Sequence, residues 1–353
     1  MIARTAAALI AALVVSAATA ECVERATPLF IRELSPADGF AYTNDVAWLP
    51  NGHLLIGARD GVTEYSPSGG TSERVISGGA VPAGLPMVQG LDTDGATVVA
   101  FNMDYGDIAF DLAGKRVLRA RRHPAFQIFD LAVRGRTVVV LGRPLLLKNA
   151  GYGVLWIGEA GAPWESFRVV RTVDGAAADL VRKTLPPYGG GVQFASDGTI
   201  AIITPAEAGV LRYKADGTPL AALGRHLDEL VVRRLPEVVK RYGADLTGRY
   251  QEILNHQPLA DDLIETSDGL AIVVRQWADG EAWWELWFPD ANAARRRVRL
   301  ASDRRPIGGH MRCDGFGRMV ACLFDRFVAA DKPSRPHLAM YDLAAVKRDA
   351  SCR

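Results

Sequence analysis

Acidic, amide and imidazole side chains recur in this sequence just ahead of short apolar runs. Asn44 and Asp45 precede Val-Ala-Trp, Gln89 precedes Gly-Leu, and Asp130 precedes Leu-Ala-Val. Gln193, the pair Asp261 and Asp262, and His310 hold similar places further along. Carboxylate and amide oxygens drawn from separate strands could hold a hard cation such as Ca²⁺. His310 is the one histidine so placed, which makes it the best candidate for a general base. Loops that follow apolar runs add Asn102, Asp104, Tyr105, Trp277 and Asp279. Other chemistries find no footing. No Gly-x-Ser-x-Gly elbow is present, and Gly189-Gly190-Gly191 follows a Pro-Pro-Tyr turn and opens a strand, unlike a phosphate loop.

The elements that must position these residues come from a degenerate repeat. Its clearest copy is Asp45-Val-Ala-Trp-Leu-Pro-Asn-Gly-His-Leu-Leu-Ile-Gly-Ala: an apolar strand, an Asn-Gly turn and a second apolar strand. An Asn-Gly or Asp-Gly pair supplies the positive φ of a tight hairpin. The same grammar returns around glycines 52, 95, 135, 198, 269 and 315. A unit of three or four strands cannot bury both faces alone, and radial stacking of copies solves that. The fold expected is an all-β, six-bladed β-propeller spanning residues 21–353 as one domain, its inner strands lining a central channel. Binding at the channel mouth then falls to Asn44, Asp45, Gln89, Asp130, Gln193, Trp277, Asp262 and His310.

Two segments break the β grammar. In residues 226–256, Leu227, Leu230, Val231, Leu235, Val238, Val239 and Tyr242 form an apolar stripe at helical spacing. Pro236 either kinks that helix or opens a second one. Residues 174–188 read as a shorter helix. Both are expected as helical insertions on one face, walling the channel mouth or covering apolar surface.

Residues 1–20 have the order of a secretory signal peptide: Arg4, an apolar core over 6–15, then Ala18-Thr19-Ala20. Glu21 rather than a small residue precedes Cys22, so no lipid anchor is expected. A periplasmic or secreted protein without a membrane span follows, in a compartment that permits disulfides. Of the three connectivities open to Cys22, Cys313, Cys322 and Cys352, pairing 22 with 352 and 313 with 322 ties the chain ends and bridges neighbouring strands. Forty-one Lys and Arg against forty Asp and Glu leave a net charge of +1, so no nucleic-acid partner is expected.

The strand, Asp/Asn-Gly, strand pattern resembles the propellers of the NHL-repeat and TolB-like kind, a group that includes gluconolactonase-like and strictosidine-synthase-like enzymes. The resemblance implies a channel metal held by a Glu/Asn/Asn/Asp set, toward which Asp45, Asp262, Asn44 and Asn102 stand nearest. No blade here carries the Glu-Gly-Pro start of those enzymes. Two functions therefore stand side by side: a non-catalytic monomeric propeller, without cofactor, that binds a small molecule or partner protein at its mouth, and a Ca²⁺-dependent lactonase or esterase.

Overall fold

The structure, a computed structural model, describes residues 23–348 apart from 36–39, 41–42, 60, 78–87, 103–105, 123–125, 145–151, 164–165, 174–189, 205–206, 225–226, 232–234, 243–251, 254, 279–280, 290–295, 306–310 and 327–334. Two strands, β1 (Val23–Ala26) and β2 (Pro28–Glu33), lead into blade 1: β3 (Asp45–Trp48), β4 (Leu54–Ala58), β5 (Gly61–Tyr65) and β6 (Ser72–Ser77). Blade 2 holds β7 (Gly90–Thr93), β8 (Thr97–Asn102), β9 (Gly106–Asp111) and β10 (Arg116–Arg122). Blade 3 holds β11 (Phe126–Arg134), β12 (Thr137–Pro144), β13 (Tyr152–Glu159) and β14 (Arg168–Val173). Blade 4 holds β15 (Gly191–Phe194), β16 (Ile200–Ile203), β17 (Val210–Tyr213) and β18 (Pro219–Leu223). Blade 5 holds β19 (Leu259–Thr266), β20 (Gly269–Ala278), β21 (Glu281–Phe288) and β22 (Arg296–Arg305). Blade 6 joins β23 (Met311–Phe316), β24 (Met319–Arg326) and β25 (Arg335–Asp342) to β2 as its outermost strand.

Each blade is an antiparallel meander, and its two faces feed two different cores. Ile200 and Ile202 pack with blade 3, whereas Ala201 and Ile203, one residue out of phase, pack with blade 5. That is the period of two expected of a strand buried on both faces. Six apolar clusters result, one at each seam between blades. The largest fills seam 5/6 around Trp284, Met311, Phe324 and Tyr341.

The ring closes through the chain ends. β2 completes blade 6, and β1 runs parallel to β22 on the outer edge of blade 5. A last strand, β26 (Lys347–Arg348), pairs with β1, setting Glu24 opposite Arg348. Cys313 and Cys322 face each other across β23 and β24 and form a disulfide, with Cα atoms 4.1 Å apart. Cys22 and Cys352 lie outside the described residues.

Two expectations need correction. Residues 174–188 lie outside the described residues, and among the described residues the connection between blades 4 and 5 breaks into short pieces rather than one long helix: a 3₁₀ turn at Asp228–Leu230, then α1 (Leu235–Tyr242), with 252–253 again helical. Pro236 stands in the first turn of α1, where the backbone N–H that it lacks would have no helical partner. The last hairpin also turns later than its Asp-Gly pair suggests. β23 runs through Gly315 to Phe316, and Gly317 takes the positive φ of 58°. Gly315 is instead a point of close approach, since a Cβ there would lie 2.0 Å from the carbonyl oxygen of Glu265.

These two neighbouring glycines should respond differently to substitution. Gly315→Ala pushes β23 from β19 and should cost on the order of 1–3 kcal/mol in urea unfolding. Gly317→Asn keeps an accessible left-handed φ, meets nothing within 4 Å, and should cost well under about 1 kcal/mol. Equal losses at the two sites would contradict this register of β23 against β24.

Candidate functional site

The inner strands β3, β7, β11, β15, β19 and β23 surround the axis, and they carry a buried set of carboxylates with a common geometry. Asp45, Asp130 and Asp262 stand on alternate blades. In each, Oδ1 accepts the N–H of the next residue, Val46, Leu131 or Leu263, at 2.9 Å. The other oxygen crosses to the following blade, accepting from Leu91 at 2.9 Å, Val192 at 2.7 Å and Cys313 at 3.2 Å. β-Bulges just before Asp130 and Asp262 aim these side chains.

A second ring begins one residue after each acceptor strand's donor, at Asp92, Gln193 and Asp314. Asp92 Oδ2 accepts from Val133 N–H at 2.6 Å, and Asp314 Oδ2 accepts from Trp48 N–H at 2.7 Å. Val133 and Trp48 each lie three residues beyond an acid of the first ring. Gln193 has one acceptor oxygen, already taken by Phe194 N–H at 2.8 Å. At that seam the direction reverses, and Glu265, three residues beyond Asp262, accepts from Ser196 N–H at 2.9 Å. Every seam is thus crossed by a bond from a backbone amide to a carboxylate, and the blades repeat as three pairs: 1 with 2, 3 with 4, 5 with 6.

One position breaks this pseudo-three-fold pattern. The residue before each crossing donor is Gly90, Gly191 and Arg312. Arg312 places Nη1 3.2 Å from the carbonyl oxygen of Asp261 and 3.4 Å from Asp262 Oδ1. Burial works against its charge, but Asp262, Asp130, Asp45 and Asp261 outweigh that and push its pKa up. Behind the ring, the Asp261 carboxylate is held by Arg275 Nη2 at 2.7 Å and Trp284 Nε1 at 2.8 Å. Burial raises the pKa of every ring acid, and repulsion from neighbouring carboxylates adds to it. Asp45 and Asp92 rise well above the usual carboxylate range, Asp262 is raised despite Arg312, and Asp130 and Asp314 reach about 7.

The residues expected at the mouth divide. Asp45, Asp130, Gln193 and Asp262 belong to the rings. Asn44 is tied to the Val88 carbonyl oxygen through Nδ2 at 2.8 Å, and Gln89 donates its backbone N–H to the Phe101 carbonyl oxygen. Asn102 is buried at the end of β8, and Trp277 packs partly against the cluster at seam 5/6. His310, Asp104, Tyr105 and Asp279 lie outside the described residues. The neighbouring tryptophans are structural: Glu285 accepts from Trp283 Nε1 at 2.9 Å and Trp287 Nε1 at 2.8 Å. Among the described residues no three His, Cys, Asp or Glu side chains are grouped as metal ligands.

No family model matches the chain, and no curated protein matches it in sequence. Solved structures match its fold. A protein of unknown function from Bacteroides thetaiotaomicron aligns with a TM-score of 0.50 and 10% identity over 90% of this chain and 75% of its own. Regucalcin, a calcium-binding protein from Agrobacterium tumefaciens, aligns with a TM-score of 0.49 and 10% identity over 88% of this chain and 91% of its own.

The raised pKa values have a consequence for stability. An unfolded Asp titrates near 3.9, whereas Asp130 and Asp314 titrate near 7 when folded. Folding therefore takes up protons between those values. The ring's contribution is complete below about pH 4 and is lost as pH rises through about 7. The melting temperature should fall from pH 5 to pH 8, a window above the titration of ordinary surface carboxylates. Asp314→Asn should flatten that fall, at a cost of about 1–3 kcal/mol for the amide it leaves facing Trp48 N–H. A melting temperature that rises across this window would contradict the assignment.

Proposed function

We propose that the chain is an exported, non-catalytic binding propeller whose mouth takes a small molecule or partner protein while its channel serves as scaffold. The supporting observation is that the channel carboxylates are committed. Both oxygens of Asp45, Asp130, Asp262 and Asp314 accept backbone N–H groups, which gives these acids a fastening role in the scaffold. Recognition then falls to the rim above the ring, near Asn44, Gln89 and Trp277. The connection between blades 4 and 5 supplies a wall there. Leu227 and Leu230 anchor it in the core at seam 4/5, while α1 buries Val238 and leaves Glu237, Lys240 and Arg241 exposed. Export fits the leader-like residues 1–20, and the pairing of β1 with β26 suits a Cys22–Cys352 bond tying the chain ends.

Melting in CaCl₂, MgCl₂, MnCl₂ and EDTA, with parallel assays on lactones and nitrophenyl esters, tests this reading. No divalent ion should raise the melting temperature, and no turnover should appear. A calcium-dependent rise together with hydrolysis lost in Asp262→Asn would overturn it. Protein purified without denaturant from a periplasmic fraction should begin at Glu21 by intact mass. Its non-reduced peptides should link Cys22 with Cys352, and any bond from Cys22 to Cys313 or Cys322 would contradict the closure.

A further inference from the structure

The three carboxylates of the first ring stand on inner strands around one axis, and among the described residues Arg312 is the cation that acts on all three, with Nη1 3.4 Å from Asp262 Oδ1. At the two positions equivalent to Arg312 a side chain is excluded. A Cβ on Gly90 would lie 2.3 Å from the Phe101 ring and 3.2 Å from Asp45 Oδ2, and one on Gly191 would lie 2.6 Å from Leu263 N. The arrangement is therefore one arm for three acids. We propose that Arg312 is the tethered occupant of a small-cation site on the channel axis, in which Asp45, Asp130 and Asp262 form a receptor for one planar, guanidinium-sized cation.

Buried carboxylates demand a compensating charge, and leaving several uncompensated is among the costliest arrangements a core can hold. Each ring carboxylate spends two lone-pair directions on N–H donors and keeps others free, so it can hold the fastening bonds and a cation together. Arg275, fully buried, is engaged by Asp261 at 2.7 Å. Among the described residues, the other charged groups that act on these are Asp92 and Asp314 in the second ring and Asp261 behind the first, all acids. The Arg312 side chain is 26% exposed, so solvent reaches the site and a free cation could enter it once the arm is removed. This inference concerns the channel and does not depend on what binds at the mouth.

The test is chemical rescue. Arg312→Gly installs the residue found at both equivalent positions. At pH 7.5 it should melt several degrees below the wild type, and 20 mM ethylguanidinium should recover most of that deficit while NaCl of equal ionic strength should not. The deficit should shrink at pH 5, below the value of about 7 to which Asp130 is raised, and Arg312→Lys should keep most of the wild-type melting temperature. Should Arg312→Gly alone fail to fold, the double variant Asp130→Asn/Arg312→Gly, which removes one of the charges, should fold. A single variant that melts with the wild type would overturn the proposal. So would a deficit that ignores pH and recovers no better with guanidinium than with sodium, or a double variant that also fails to fold.

Discussion

A backbone amide of one blade donating to a carboxylate of its neighbour is the contact on which this propeller depends. Apolar packing at the seams is strong but directionless, and sheets packed face to face can slide without losing much buried area. A hydrogen bond between an amide and a buried carboxylate has a fixed length and direction, and it is stronger than a neutral pair. Placing one at each seam near the axis sets the rotation of each blade against the next. The apolar clusters further out then supply bulk stability to a geometry already chosen.

That solution creates its own difficulty. Most of the acids that fasten the blades crowd around one axis, where burial and mutual repulsion raise the pKa values of Asp45, Asp92, Asp130 and Asp262, and of Asp314. Three features relieve the strain. Arg312 places one positive charge among the first ring. Gln193 substitutes an amide for the third acid of the second ring, and Glu265 fastens its seam from the other side. Protons supply the rest, since burial leaves several of these carboxyls within reach of neutral pH. Where Gln193 replaces an acid, its seam is still fastened by a carboxylate, that of Glu265.

Much of this was legible in the sequence, for a physical reason. Asn-Gly and Asp-Gly turns flanked by apolar runs can satisfy few other structures, so the blades were marked by local chemistry at Gly52, Gly95, Gly198 and Gly269, and by the positive-φ Gly135 after Arg134. Asp45, Asp130 and Asp262 stood out because they open apolar strands. Asp314 and Asp92 did not, because each sits where a turn-forming Asp is ordinary, and Asp314-Gly315 imitates a hairpin. What separates it from a turn is the approach of blade 5 to within contact of Gly315, which no local pattern encodes. Arg312 was hidden for a related reason, since its partners lie on three other blades. An apolar stripe records burial rather than helix length: Leu227 and Leu230 bury themselves in and beside a 3₁₀ turn, and the helix begins anew with Pro236 in its first turn.

Directional fastening can be tested at single residues by amide hydrogen exchange. In the wild type the Leu91, Val192 and Cys313 amides should be among the most protected of the inner strands. In Asp130→Ala the exchange of Val192 should accelerate well beyond that of Leu91 and Cys313, whose acceptors remain. Equal protection of Val192 with and without the Asp130 carboxylate would show that apolar packing alone holds the seam, and would contradict directional fastening.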